Sequence, residues 1–383
     1  MSTLATNAIT DASGGNTATI NGYTPTMSNM AGRNKIINGS MVFDQRNAGA
    51  SVTPSNADYT LDRWRSYLSQ ASKYSVQQNA GSVTPPAGFI NYLGVTSLSA
   101  YSVGSGEFFS IQQFIEGFNV ADLGWGTANA QAVTLSFKVY SSLTGTFGGV
   151  LQNDGQNRSY PFTYSIPTAN TWTTVSVTVP GDTSGTWLTN SGRGIAVWFG
   201  LGAGASVSGT AGAWAAAGYF SATGAVSVVG TNGATWYITG VQLEVGSVAT
   251  PFENVDYSEM LSRCQRYYWQ TQSALGGTFL YDSIGQGFIR TLTTSAAPVT
   301  IQVPYPVPMR SAPSVGTTNG VNFTAQVANS TNQCNGGLSV WSSGNRAGWV
   351  DMNTNSTSGW SVGQAVSVYC NGGASDIFFS AEL

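Results

Sequence analysis

From Asn34 to Glu253 short runs of alternating apolar and polar residues are separated by turn-forming residues, the pattern of half-buried β-strands. Val133, Leu135, Phe137 and Val139 alternate with Thr134, Ser136 and Lys138, and Val175, Val177 and Val179 alternate with Thr174, Ser176 and Thr178. The apolar run Ile195-Ala196-Val197-Trp198-Phe199 predicts a strand covered on both faces. Asn153-Asp154-Gly155 predicts a hairpin turn between two β-rich stretches. Phe108, Ile111, Phe114, Ile115 and Phe118 have mixed spacing that suits a long strand but leaves room for a helix. No strand–helix–strand alternation is present, so the expected architecture is all-β, a two-sheet jelly-roll sandwich.

Near the end of this region the pattern slips phase. Val241, Leu243 and Val245 point one way and Gln242 and Glu244 the other, whereas Trp236 and Ile238 lie in the opposite phase. The slip at Thr239-Gly240 predicts a β-bulge. Gly246 and Pro251 end the strand, and Asp256 with Glu259 three residues on predicts a helix N-terminus. Tyr257, Met260, Leu261, Cys264, Tyr267 and Tyr268 then fall at helical spacing. A stripe this short does not hold an isolated helix. It is expected to be buried by packing on the sandwich or in a homotrimer, with Tyr257, Met260, Leu261, Cys264 and Tyr268 as the trimer contacts.

Beyond residue 272 a second β-unit is expected. Its clearest strands are Phe288-Ile289-Arg290, Val299–Val303, Val321–Thr324, Val366–Tyr369 and Ile377–Phe379. Pro304, Pro306, Pro308 and Pro313 cannot donate to a ladder, so that stretch reads as an edge or an extended linker. Residues 1–33 are polar, with isolated Leu4, Ile9 and Ile20, and read as a flexible tail or a docking arm. The expected organisation is therefore an arm over 1–33, a jelly roll over 34–255, a connecting amphipathic helix over 256–272 and a C-terminal β-domain over 273–383.

Three segments carry a resemblance. The first is Arg33-Asn34-Lys35-Ile36-Ile37-Asn38-Gly39, followed by Asp44–Ser51 and Tyr59–Trp64. The second is Val241-Gln242-Leu243-Glu244 through Thr250-Pro251-Phe252-Glu253, followed by Cys264-Gln265-Arg266-Tyr267-Tyr268. The third is Tyr305-Pro306-Val307-Pro308-Met309-Arg310-Ser311-Ala312-Pro313. In this order they resemble tail-fibre and related appendage proteins of tailed bacteriophages. The resemblance implies a virion protein assembled in the host cytoplasm. It also implies an N-terminal arm that docks on a neighbouring virion protein, and a surface that meets host polysaccharide. The family's receptor residues are not set by a motif, so none is carried over.

Composition narrows the function further. Charged residues make up 8% of the chain against a usual value of roughly 25%. Hydrophobic residues reach 42%, so the chain can build cores. A net charge of −3 offers no basic field for nucleic acid. No apolar run approaches the roughly 20 residues of a membrane-spanning helix, and no signal peptide is readable. Histidine is absent, which removes Ser-His-Asp and Cys-His catalysis and histidine-ligated zinc. The three cysteines, Cys264, Cys334 and Cys370, form no metal motif, and the latter two are possible neighbours expected to stay reduced. No cofactor, metal or catalytic residue is assigned. Glycoside hydrolysis needs only a pair of carboxylates, so a polysaccharide depolymerase stays open as an alternative, as does a capsid or tail decoration role.

The remaining candidate chemistry is aromatic. Between Cys334 and Tyr369, Trp341, Trp349 and Trp360 stand among Asp351, Asn353 and Asn355 in what reads as turn-rich loops. Asp351 to Asn355 has the alternation of a calcium loop, but Ser356 and Val362 occupy the positions that need glycine and glutamate. These six residues, Trp341, Trp349, Asp351, Asn353, Asn355 and Trp360, are the candidate glycan-binding set, each tryptophan weighed against plain core packing. Trp125 and Trp214 are further aromatics of the sandwich, and Trp64 reads as core.

Overall fold

The computed structural model describes residues 32–271, 283–290, 298–317, 323–327, 330–334, 338–354, 360–370 and 377–383. The chain divides into two compact units at Val255/Asp256.

The first unit is a jelly-roll β-sandwich. Its strands are β1 (Tyr59–Leu61), β2 (Trp64–Leu68), β3 (Tyr74–Gln78), β4 (Leu93–Ser97), β5 (Phe108–Glu116), β6 (Val133–Ser141) and β7 (Gly145–Gln152). They continue with β8 (Ser159–Ile166), β9 (Thr173–Val179), β10 (Arg193–Ala203), β11 (Ser208–Gly209), β12 (Ser221–Ala222) and β13 (Thr235–Val245). A six-stranded sheet in the order β1-β2-β5-β10-β7-β8 faces a five-stranded sheet in the order β3-β4-β13-β6-β9. The alternating apolar residues of both sheets form one core, in which Phe137, Tyr164 and Phe199 meet edge to face at 5.1 Å. The ambiguous Phe108–Phe118 run is strand β5 followed by a short 3-10 turn. Trp64 is fully buried, and its ring N–H donates to Asn38 O.

The predicted bulge is present. β13 pairs Thr239 with Lys138 and then Gln242 with Ser136, so the register skips at Gly240, whose φ is +62°. The far side of β13 is not solvent, however: Gln242 and Glu244 are both buried. The Glu244 carboxylate accepts from Thr250 N and Thr250 Oγ1 at 2.8 and 2.6 Å, and Gln242 Oε1 accepts from Glu253 N at 2.8 Å. These polar side chains fold the 250–253 segment back across the strand. Gly32 and Arg33, expected in the arm, already belong to this closure: Glu253 accepts from Gly32 N, and the Arg33 guanidinium donates to Pro251 O. Residues 1–31 of the expected arm lie outside the described residues.

The second unit begins with helix α1 (Tyr257–Gln265), capped by the Asp256 carboxylate, which accepts from Ser258 N. The helix counts with this unit instead of standing between two domains. Its strands are β14 (Tyr268–Gln270), β15 (Ser283–Ile289), β16 (Pro298–Pro304), β17 (Ser314–Thr317) and β18 (Phe323–Val327). After these come β19 (Ser330–Cys334), β20 (Leu338–Ser343), β21 (Ala347–Asn353), β22 (Ala365–Cys370) and β23 (Ile377–Ser380). A seven-stranded sheet, β19-β18-β22-β15-β16-β21-β20, and a three-stranded sheet, β14-β23-β17, enclose a second core that includes Ile301, Val350, Val368, Ile377 and Phe379. The third sequence block leaves β16 at Pro304 and is pinned by Arg310, whose guanidinium donates to Ala381 O and Glu382 O and whose N–H donates to Arg266 O.

Two expectations change here. Met260, Cys264 and Tyr268 are buried within the single chain, Tyr268 against Phe378, so they are not exposed trimer contacts; Leu261 is half-buried and Tyr257 is exposed. Cys334 and Cys370 pair with Phe323 from opposite sides of β18. Two strand spacings, roughly 9.5 Å, exceed disulfide reach, and Cys334 is a free buried thiol.

Candidate functional site

The stretch from Cys334 to Trp360, expected as loops, contains strands β20 and β21, whereas Val366–Tyr369, expected as a strand, lies in β22. Strand parity therefore decides which candidate side chains are available. On β21, Val350 and Met352 face the core, whereas Trp349, Asp351 and Asn353 share the opposite face. Neighbouring strands extend that face. Gln302 and Thr300 of β16 stand opposite Trp349 and Asp351, and Phe288 of β15 stands opposite Thr300.

The outcome is an exposed sheet face of neutral polar side chains with two aromatic rings near its middle. Gln302, Gln326, Thr331, Ser339 and Asn353 are exposed, and Phe288 and Trp349 are half-buried. The Phe288 and Trp349 rings meet across β16 with centroids 6.0 Å apart and planes inclined at 62°. Each ring thus limits the other's rotation while keeping part of its surface in water.

Asp351 does a different job from the one expected. It is buried, and its carboxylate accepts from Thr300 Oγ1 at 2.5 Å and from the Arg290 guanidinium at 2.8 Å. With both oxygens engaged it braces β15, β16 and β21 under the face. Trp360 is also removed from the candidate set, because it is buried in the core of the unit. Trp341 occupies the register skip between Val340 and Ser342 of β20; its side chain and the whole of Asn355 lie outside the described residues. Of the six, Trp349 and Asn353 remain as surface groups. Phe288 and Gln302 were missed, though Gln302 was readable as an outward position in Val299–Val303.

No cluster of three His, Cys, Asp or Glu side chains occurs among the described residues. Described carboxylates are engaged in local structure, including Asp44 and Asp58 in turns, Glu107 with Tyr101, and Asp182 with Arg158.

No family model matches the chain, and no curated protein matches it. Among solved structures it is similar to the enzymatically active domain of tailspike protein 4 of bacteriophage CBA120. Identity there is 12%, coverage is 56% of this chain and 21% of that one, and the TM-score is 0.31. The chain thus spans about a fifth of the tailspike domain's length. It is also similar to a family 11 carbohydrate-binding module from Clostridium thermocellum solved with a mixed-linked tetrasaccharide, at 10% identity, 52% and 98% coverage and a TM-score of 0.27. A cellulose-binding domain from Cellulomonas fimi matches at 11% identity, 42% and 80% coverage and a TM-score of 0.23.

Proposed function

We propose that the chain is a non-catalytic structural and adhesion subunit of a bacteriophage tail fibre or similar appendage. In this reading it binds a neutral glycan of the host surface through the exposed face of the seven-stranded sheet. The observation that carries the binding role is the Phe288–Trp349 pair, held 6.0 Å apart in a field of exposed amides and hydroxyls. Exposed aromatic surface is unfavourable unless a contact uses it. The C–H face of a pyranose fits against such rings, and Gln302 and Asn353 are placed on the same face to meet hydroxyls. The appendage role is supported by the three sequence blocks, which serve as structural clasps at the margins of the two units. Single aromatic contacts are weak, and a homotrimer presenting three faces would raise avidity.

A glycan array of neutral polysaccharides, followed by titration of the best binder, tests the reading. Trp349→Ala and Asn353→Ala should each weaken binding about tenfold or more while the chain stays folded; undiminished binding by both overturns the assigned face. Release of reducing ends from the bound polysaccharide would overturn the non-catalytic assignment. Deleting residues 1–31 should leave a folded chain that no longer enters particles. Light scattering that gives a single-chain mass would remove the trimer.

A further inference from the structure

The first unit holds an apolar cavity at one end of its sandwich that the sheet-face reading does not use. Its volume is about 180 Å³, and Trp125, Trp187, Val120, Leu188 and Ile195 supply its apolar lining. Thr127 and Thr189 complete the lining, the Thr127 hydroxyl already donating to Gly124 O and accepting from Asn129 N. Behind it, Trp125, Trp187 and Trp214 pack mutually edge to face, with centroids 4.7, 5.3 and 5.5 Å apart. Each ring N–H is tied to a backbone carbonyl: Trp125 to Gln131, Trp187 to Ser184 and Trp214 to Pro180. Three indoles locked in this way lose little rotamer freedom on binding. Gly126 makes the closure possible. Its φ is +85°, and a Cβ there would lie 2.7 Å from Gly185 O and 3.3 Å from Trp187 Cδ1.

We propose that this cavity is a second sugar subsite, which takes one pyranose carrying a methyl group, as a 6-deoxyhexose or an N-acetylamino sugar. The proposal rests on the glycan-binding reading above and adds to it a specificity. Size sets the occupant: a cavity of about 180 Å³ has room for one sugar ring. The apolar lining selects a methyl group, since a hydroxyl buried there without a partner is penalised. Nearby charges are already paired, Lys35 with Asp122 at 2.9 Å and Arg158 with Asp182 at 2.6 Å, so the surroundings favour a neutral ligand.

The test is a tryptophan-fluorescence titration of the full chain with L-rhamnose, L-fucose and N-acetylglucosamine, with glucose as the control. A saturating change is expected for the deoxy sugars or for the acetylated one, which separates the two sources of the methyl group, and glucose should bind at least tenfold more weakly. Ala121→Phe, which fills the cavity from an exposed position, and Leu188→Trp should each weaken the response tenfold or more. Ile90→Ala, at an exposed position outside both sites, should leave it unchanged. Equal responses to all four sugars, no response, or a response insensitive to both filling variants overturns the subsite. A response abolished by Trp349→Ala also overturns it, while leaving the sheet-face reading intact.

Discussion

The Glu253 carboxylate accepts the backbone N–H of Asn34 at 2.7 Å, which joins the segment ahead of β1 to the segment that follows β13. The same carboxylate accepts Gly32 N at 2.7 Å, and Asn34 in turn grips β13 by donating to Val241 O and accepting from Leu243 N. Entry to and exit from the sandwich are therefore at one place. The two sequence blocks that lie farthest apart in this unit are the two halves of a single clasp.

Removing the carboxylate should loosen that clasp. Glu253→Ala leaves two N–H groups without their charged acceptor and should cost about 1.5–3 kcal/mol. Glu259→Ala removes only the exposed i,i+4 pair with Arg263 and should cost about 0.5 kcal/mol or less. Urea unfolding of the two variants checks this, and equal midpoints would refute the clasp.

Gly39 is the tightest point of the same closure. A Cβ there would lie 2.1 Å from Val241 O, a backbone atom that cannot move without disturbing β13. Gly39→Ala should therefore cost about 2–3 kcal/mol. Gly344→Ala, where the nearest atom is 3.9 Å away, should be close to neutral. Thermal melts that show no difference between them would refute the close approach.

Much of the architecture was legible because strands have a period of two. Val133 to Val139, Val175 to Val179 and Val299 to Val303 all lie in strands with the faces that their alternation implied. The bulge was legible because a phase slip coincides with Gly240. Gln242 and Glu244 were not legible as buried, since polarity alone does not show that another segment folds over them. The candidate site failed for a related reason. Ala347 to Asn353 alternates as a strand, but its outward Asp and Asn residues look like a polar loop. Indole identity does not say which tryptophan faces the core: Trp349 stands beside inward Val350 and Met352, whereas Trp360 lies outside any alternation.

That difference between the two tryptophans is measurable. Trp360→Ala opens a void in the second core and should cost about 3–5 kcal/mol. Trp349→Ala should lower stability by less than about 1.5 kcal/mol and act on glycan binding instead. Differential scanning calorimetry alongside the binding titration separates the effects. A Trp360→Ala chain that melts like its parent would return this residue to the surface.

The second unit should lose stability in alkali through Cys334. Its side chain is buried opposite Phe323, and burial pushes the thiol from its ordinary value of 9.0 up to about 12, against a smaller lowering by the Ala325 backbone N–H. Because the folded value lies above the unfolded one, the neutral thiol's contribution is fully present below pH 9 and is lost as pH rises towards 12. Within that window the unfolded chain gains up to about 1.4 kcal/mol per pH unit from ionisation that the folded chain resists. Tyr74 and Tyr164 are also raised by burial and act with the same sign, so the parent alone does not isolate the thiol. Urea unfolding of the parent and of Cys334→Ala at pH 8, 9, 10 and 11 does. The stability difference between them should stay level from pH 8 to 9 and then shift steadily against the parent. A difference that stays level to pH 11 would mean that water reaches Cys334 in the folded protein.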